Sequence, residues 1–184
     1  MSKAKKYVEQ FIMHLQKLDR KGYAELRRSL GSKPGYYMPA IPYVEPFAVS
    51  LKYDTHKKAV YLFAGLFCLA NRPLEGSEAA KQTAGNLGSS IGNLYLAKDK
   101  SGSIEKRFIR LLDADSEQLP GRLRQMVTLL TSNNIGINWE RLLEDLLNWY
   151  QPSKSVQHNW ARQFYMQEKN VNSLEESNTS GGNK

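Results

Sequence analysis

The sequence predicts an all-α protein, a compact multi-helix bundle of about eight helices. Apolar residues recur at intervals of three and four along most of the chain, and no segment alternates between apolar and polar residues as a half-buried strand does. Hydrophobic residues make up 41% of the 184 residues, enough for a core that needs no disulfide or metal. The length fits one domain or two small packed helical halves, about 1–100 and 101–170.

The first third of the chain predicts two short helices, a loop and a core helix. The helices span 5–20 and 23–30, and they are separated by the Lys21-Gly22 break. The prolines and tyrosines of 31–55 predict an ordered loop pinned by its aromatic side chains, because prolines this dense exclude a regular helix. An apolar helix over 57–71 is expected to form the centre of the core.

The rest of the chain predicts five more helices. A polar connection over 72–82 leads to a helix over 83–96, and a turn over 98–103 follows it. Apolar spacing then predicts helices near 104–112, 119–130 and 139–149, and a last one that begins at Pro152. Asp115 with Gln118 resembles a capping box, and Asn138 is expected to cap the helix that Trp139 opens. Residues 1–170 form the predicted helical body, and 171–184 read as a flexible polar tail.

Three glycines predict a close contact between helices. Gly85, Gly88 and Gly92 are spaced by three and four residues, so they share one face of the helix predicted over 83–96. Each costs about 1 kcal/mol of helix propensity relative to alanine, which indicates that a neighbouring backbone approaches that face. A phosphate-binding loop is a poorer interpretation, since no Gly-Lys-Ser/Thr follows and no strand precedes them.

The charge is positive and unevenly distributed. The net charge is +8, and residues 1–58 hold 12 of the 26 basic residues but 5 of the 18 acidic ones. Such a field attracts polyanions, with nucleic acid the first candidate. A basic surface without any ligand remains an open alternative at this point.

The sequence holds no pattern for bond-making chemistry. The histidines His14, His56 and His158 share no metal-ligand spacing, and the lone Cys68 permits no intrachain disulfide. No local nucleophile–base arrangement is present, so we expect a protein that is not an enzyme and has no cofactor. The charged N-terminus and the absence of a membrane-length apolar run favour a cytoplasmic protein.

The candidate binding residues are basic side chains on predicted helices. Arg27 and Arg28 close the second helix, where adjacent side chains point about 100° apart. Lys57 and Lys58 open the predicted core helix, where cations oppose the helix dipole. A phosphate bound there would gain from both the dipole and the lysines.

Two later helices carry the remaining candidates of this kind. Lys106, Arg107 and Arg110 lie within one turn, and Arg107 and Arg110 share a face at a spacing of three. Like charges this close destabilise a helix unless acidic neighbours or a bound anion compensate. Arg124 lies between apolar Leu123 and Met126, at the edge of its helix.

Short motifs in a fixed order carry a resemblance to a known family. They lie at 15–19, 24–28, 43–47 with Pro46, 67–69, 86–88, 104–108, 123–124 and 138–149 with its two tryptophans. Together they run from about residue 8 to about residue 165. In this order and spacing they resemble the CasB family, the small subunit of the type I-E CRISPR surveillance complex called Cascade.

The resemblance implies a function in antiviral defence. It implies an all-α subunit without nuclease activity, present as two copies beside the other Cascade subunits. Its partners would be the guide RNA, the target DNA strand and the displaced DNA strand, and it would stabilise the R-loop. Such a role needs cations on rigid helices and no groups that read bases.

The resemblance also assigns residues. Arg27 or Arg28 matches a basic pair after the second helix, Lys57 a basic residue that opens the core helix, Arg107 the arginine after Glu105-Lys106, and Arg124 a Leu-Arg motif. Lys154 is the nearest substitute for a basic pair that some relatives have after Trp149. The predicted nucleic-acid-binding set is therefore Arg27, Arg28, Lys57, Lys58, Arg107, Arg110, Arg124 and Lys154.

A second hypothesis belongs to a different class of protein. A helical protein–protein adaptor could use the same basic face against an acidic partner. The aromatic segment 34–47, with Tyr36, Tyr37 and Tyr43, would then be its docking loop.

Overall fold

A computed structural model describes residues 3–71 and 83–179 of the chain, with side chains described up to Gln167. These residues form nine α-helices, a short 3-10 helix at Met38–Ala40 and no strand, which confirms the all-α prediction. The helices are α1 (Lys3–Gln16), α2 (Arg20–Ser29), α3 (Ile41–Ala48), α4 (Asp54–Ala70), α5 (Leu87–Ala97), α6 (Gly102–Leu112), α7 (Leu119–Ser132), α8 (Trp139–Leu147) and α9 (Ser155–Thr179).

The α4 helix is the centre of the core, as its apolar sequence predicted. Every residue from Ala59 to Cys68 is buried, so this part of the helix has no solvent-facing side. It packs against α2, α3, α7 and α8, while α5 packs along α9. Because these pairs join elements on both sides of residue 100, the two predicted halves share one core.

The α5–α9 contact confirms the close packing predicted for two of the three glycines. A Cβ on Gly88 would lie 2.1 Å from the carbonyl oxygen of Trp160, and one on Gly92 would lie 2.8 Å from that of Phe164. The prediction for Gly85 was wrong, because the helix begins only at Leu87. Gly85 precedes the cap with φ of +102°, a conformation that favours glycine.

The α3 helix was not predicted, and the expectation of an irregular loop over 31–55 was wrong. Pro42 stands in the first turn of α3, where its missing N–H would have no partner in any case. Pro46 lies inside the helix, where proline costs about 3 kcal/mol. Burial of Val44 and Ala48 against the core opposes that cost.

Several helix ends also differ from the sequence prediction. The core helix begins at Asp54, so Lys57 and Lys58 lie inside it rather than at its start. The last helix begins at Ser155, three residues after Pro152, and its backbone continues to Thr179, into the predicted polar tail. The predicted connection over 72–82 and residues 180–184 lie outside the described residues.

Of the two predicted helix caps, the structure has the one at Asn138 as predicted and the one at Asp115 in a different place. The Asn138 carboxamide accepts a hydrogen bond from the Arg141 N–H at 3.0 Å, which confirms the cap of α8. The Asp115 carboxylate accepts from the N–H groups of Glu117 and Gln118 at 2.9 and 2.8 Å. It therefore caps the turn that leads into α7 rather than the helix itself.

Candidate nucleic-acid interface

An open groove between α6 and α7 is lined by basic side chains. Arg107 and Arg110 reach it from α6, and Arg122 and Arg124 reach it from α7. Its volume is about 1060 Å³. The other described residues that line it are apolar or neutral, so no carboxylate neutralises the four arginines from within the groove.

The amphipathic pattern of the two helices places these arginines. Ile104, Phe108 and Leu111 turn one side of α6 inward, which leaves Arg107 and Arg110 exposed on the other. In α7 the buried positions include Leu123, so the two flanking arginines emerge on either side of the buried stripe. The structure therefore brings together three of the predicted residues, Arg107, Arg110 and Arg124.

Sequence reasoning missed Arg122, the fourth arginine of the groove. Its guanidinium donates a hydrogen bond to the backbone carbonyl of Arg110, near the C-terminal end of α6. Carbonyls at a helix C-terminus lack helical partners and carry partial negative charge, so a cation is stabilised there. The one signal in the sequence was that 119–132 contains two arginines and no acidic residue.

Arg124 extends the basic surface from the groove towards α2. Its guanidinium lies 3.5 Å from the carbonyl oxygen of Leu30, the C-cap residue that follows α2. The last turn of α2 carries Arg27 and Arg28, both exposed. The end of α2 thus continues the surface that the groove begins.

The two arginines of α2 have different surroundings. Arg28 donates to the Glu25 carboxylate at 2.9 Å, and the Tyr37 hydroxyl donates to the other oxygen of that carboxylate at 2.6 Å. The bond to Glu25 raises the pKa of Tyr37 above its ordinary value. Burial raises the pKa of the Cys68 thiol to about 12, and the positive charge of Arg27 acts against that rise.

The remaining predicted residues lie elsewhere. Lys57 and Lys58 line a separate hollow with Glu45 and Asp54, and Lys58 forms a salt bridge to Asp54 at 2.7 Å. Because α4 begins at Asp54, these two lysines do not stand at the helix N-terminus where the sequence analysis placed them. Lys154 lies in the turn between α8 and α9, with φ of +48°, and does not line the groove.

The groove is suited to holding anions. Arginine guanidinium groups bind phosphate oxygens in a bidentate manner and remain charged at any physiological pH. Across the described residues, no group of three or more His, Cys, Asp or Glu side chains is placed to hold a metal ion. In the same part of the chain, no helix is both long and apolar enough to span a bilayer.

The fold and the site define an all-α protein with a groove of arginines, and comparison with known proteins gives its family. The family described as CRISPR-associated protein Cse2 matches residues 22–165. A CRISPR-associated protein Cse2 from Thermus thermophilus is 40% identical over 143 residues, 77% of each chain. This chain belongs to the Cse2 family.

Solved structures agree with this assignment. The crystal structure of M. ruber CasB is 38% identical, has a TM-score of 0.78, and covers 91% of this chain and 97% of its own. The resemblance to the CasB family is thus confirmed. A chain from a structure described as a CRISPR RNA-guided surveillance complex shares the fold, with a TM-score of 0.79 at 21% identity over 94% of this chain and 99% of its own.

Proposed function

We propose that this chain is the non-catalytic small subunit of a type I-E Cascade complex in the cytoplasm. Its groove would bind the phosphate backbone of the guide RNA–target DNA hybrid and of the displaced strand. The observation that carries this proposal is the convergence of Arg107, Arg110, Arg122 and Arg124 in one groove without a lining carboxylate, in a member of the Cse2 family. The fold shared with a chain of an RNA-guided surveillance complex supports it.

Such a subunit would shift the equilibrium between duplex DNA and the R-loop, whose two sides are close in free energy. When an R-loop forms, the hybrid gained is about as stable as the DNA duplex lost, so contacts to the backbone decide the outcome. Four arginines on two packed helices would supply such contacts to phosphate oxygens. The protein would therefore stabilise any R-loop whose sequence the guide has already selected.

The other predicted residues differ in where they lie relative to the groove. Arg27 and Arg28 lie in the last turn of α2, whose end Arg124 contacts, and would add contacts to the nucleic-acid backbone. Lys57, Lys58 and Lys154 lie on separate surfaces and would meet a different part of the nucleic acid. We propose two copies of the subunit in the complex, which would lengthen the basic path along the hybrid.

Co-purification tests this function. The tagged chain would be expressed with its genomic neighbours and a CRISPR array, and any RNA that is recovered would be sequenced. We expect a large complex that contains short guide-sized RNA. The lifetime of the R-loop should be shorter for complexes assembled without this chain.

Two results would contradict the proposal. Recovery of the chain alone, without RNA or large partners, would argue against a Cascade subunit and favour an adaptor function. Equal R-loop lifetimes with and without the chain would show that its place in the complex is not to stabilise the R-loop.

A further inference from the structure

A second cavity, of about 610 Å³, carries two exposed tyrosines among its lining residues. Tyr36 is 66% exposed and Tyr150 is 41% exposed, so both rings are accessible from solvent. The volume lies within the range of about 300–1,000 Å³ that is usual for small-ligand sites. We call this space the tyrosine cavity. Its buried lining residues are apolar and are Ala59, Leu62, Leu119 and Leu146.

A tight turn after α2 holds Tyr36 at the cavity. The Tyr36 N–H donates a hydrogen bond to the Lys33 carbonyl at 3.0 Å. Between them lie Pro34 and Gly35, and Gly35 has φ of +87°. Proline in the second place and glycine with positive φ in the third are typical of a type II β-turn. Because this backbone is already restricted, the tyrosine ring loses little conformational freedom when a ligand stacks on it.

Tyr150 reaches the cavity from the turn after α8, next to a buried tryptophan. Trp149 is 1% exposed, and its ring centroid lies 5.0 Å from that of Trp160. Burial of Trp149 fixes the backbone on which Tyr150 is carried. The two tyrosines of the cavity are therefore both presented by ordered turns.

The cavity also has positive charge. Among the described residues that line it, Lys33 and Lys58 are cations and Glu117 is the one carboxylate. Lys33 and Glu117 form an ion pair at 3.5 Å, in which their side chains are 75% and 79% exposed. Ion pairs this exposed are weak, so a phosphate group can share Lys33 with Glu117.

The tyrosine cavity and the arginine groove meet at the first turn of α7. Residues 119–120 line the cavity, and residues 121–122, which follow directly, line the groove. Leu30 also lines the cavity, and its carbonyl oxygen is the one that Arg124 contacts. Neighbouring Cα atoms are about 3.8 Å apart, close to the rise of roughly 3.4 Å per nucleotide along one DNA strand. One strand can therefore reach both the groove and the cavity.

The composition of the lining indicates an unpaired nucleobase as the occupant. Exposed aromatic rings beside cations are what proteins use to bind single strands, because the rings stack on bases and the cations bind phosphates. An apolar protein segment would leave the two lysines without an anion, and an acidic segment would gain little from the tyrosine rings. In an R-loop the displaced DNA strand is single-stranded, whereas the bases of the target strand are paired with the guide.

We infer that the tyrosine cavity binds an unpaired base of the displaced DNA strand, which stacks on Tyr36 and Tyr150. This inference rests on the proposed function and assigns a site to one of its strands. Binding is independent of sequence, because every base has a π-face. The displaced strand can return to the target strand only after its base leaves the cavity, so stacking prolongs the lifetime of the R-loop.

Strands with and without bases test the inference on the full wild-type chain. A single-stranded DNA of about 20 nucleotides and an abasic DNA of the same length carry the same phosphate charge. Binding through phosphates alone would give the two strands equal affinities. We expect the abasic strand to bind at least about 5-fold more weakly, because it has no base to stack on the tyrosines.

Matched tyrosine variants assign the stacking to this cavity. Tyr36→Leu with Tyr150→Leu removes both rings, whereas Tyr36→Phe with Tyr150→Phe keeps them. Tyr53→Leu removes a ring that is 55% exposed and lies outside the cavity. The double leucine variant should bind the normal strand at least about 5-fold more weakly and lose the preference over the abasic strand, with an unchanged salt slope. The phenylalanine variant and Tyr53→Leu should bind as wild type.

The possible results separate this inference from the proposed function. Equal affinity of the wild-type chain for the normal and abasic strands would overturn the inference alone, and so would a preference that persists in a folded double leucine variant. A leucine variant that binds both strands as wild type but is no longer recovered with the complex would show that a protein occupies the cavity. Failure of the wild-type chain to bind either strand or to join a complex would remove the proposed function and this inference together.

Discussion

The Glu25 carboxylate lies beside the arginine pair that ends α2. The Glu25 side chain is 15% exposed and that of Arg28 is 64% exposed, so their ion pair lies at the surface. The Tyr37 hydroxyl donates a hydrogen bond to the same Glu25 carboxylate. A phosphate that approaches Arg28 must share the guanidinium with this carboxylate or displace it. Glu25 is therefore expected to weaken binding at α2.

Substitution of Glu25 tests this competition. Glu25→Gln should strengthen binding to an R-loop substrate, on the order of 5-fold at low salt, because a surface ion pair is worth at most about 1 kcal/mol. Tyr37→Phe, which removes a bond to the same carboxylate without a change in charge, serves as the control. Weaker binding by Glu25→Gln in a titration would show instead that the carboxylate orients Arg28 productively.

Among the glycines described, Gly88 is the one where an added Cβ would lie nearest to another atom. Gly88→Ala would put a methyl group against the Trp160 backbone, which cannot rotate away as a side chain could. We expect a loss of about 2–3 kcal/mol and a melting temperature lower by roughly 5–10 °C. Calorimetry or circular dichroism would measure the change.

Gly121 in α7 provides the matched control for that substitution. A Cβ there would meet no atom within 4 Å, so Gly121→Ala should raise stability by about 0.5–1 kcal/mol through helix propensity. Equal effects of the two alanine substitutions would show that α5 and α9 do not pack as closely as the structure indicates.

Among the groove residues, the sequence identified those that have a local pattern. Arg107 and Arg110 share a helix face, and Arg124 belongs to a family motif, so spacing and resemblance sufficed. Arg122 has neither, and its role depends on the packing of α7 against the end of α6. Contacts between separate elements of this kind cannot be derived from one sequence.

At the scale of elements, a buried carboxylate joins α8 to α9. Asp145 is 3% exposed and accepts hydrogen bonds from the Trp160 indole N–H at 2.6 Å and from Arg141 at 3.1 Å. Burial raises its pKa above the ordinary 3.8, although the bonds from Trp160 and Arg141 act against the rise. The loss of hydration thus outweighs the two bonds.

This shift makes stability depend on pH in acid solution. Between the unfolded pKa and the higher folded pKa, the folded protein binds more protons than the unfolded chain, so the free energy of unfolding falls as pH rises. Relative to Asp145→Asn, which retains an acceptor, wild-type stability should decline from about pH 3.8 upward and become constant above the folded pKa. Urea unfolding of both proteins at several pH values would check this. A free energy of unfolding of wild type that increases with pH relative to that of Asp145→Asn would contradict it.

Sequence reasoning missed α3 and misplaced the start of α4, because the local apolar pattern does not show either of them. Pro42 and Pro46 argue against helix locally, but tertiary burial of Val44 and Ala48 outweighs that preference in α3. The three polar residues at the start of α4 have no apolar period, so its beginning at Asp54 was not visible. Periodic segments such as α7 and α8 were predicted well, because their buried positions recur from one turn to the next.

At the scale of the whole molecule, charge and apolar surface are separated. The arginine groove lies on α6 and α7, the paired arginines lie in the last turn of α2 beside it, and residues 34–51 contain no basic residue. A polyanion would therefore meet its cations on the surface formed by α2, α6 and α7.

Binding of the nucleic-acid backbone in the groove is tested most directly by the salt dependence of R-loop binding. The dissociation constant would be measured over a range of salt for wild type, for Arg107→Glu with Arg124→Glu, and for a control, Lys5→Glu in α1 with Lys17→Glu just after it. We expect steep salt dependence in wild type, since each phosphate contact releases counterions. The groove variant should bind at least about 10-fold more weakly with a shallower slope, while the control remains close to wild type. Equal affinity and slope for the groove variant and wild type would contradict the account.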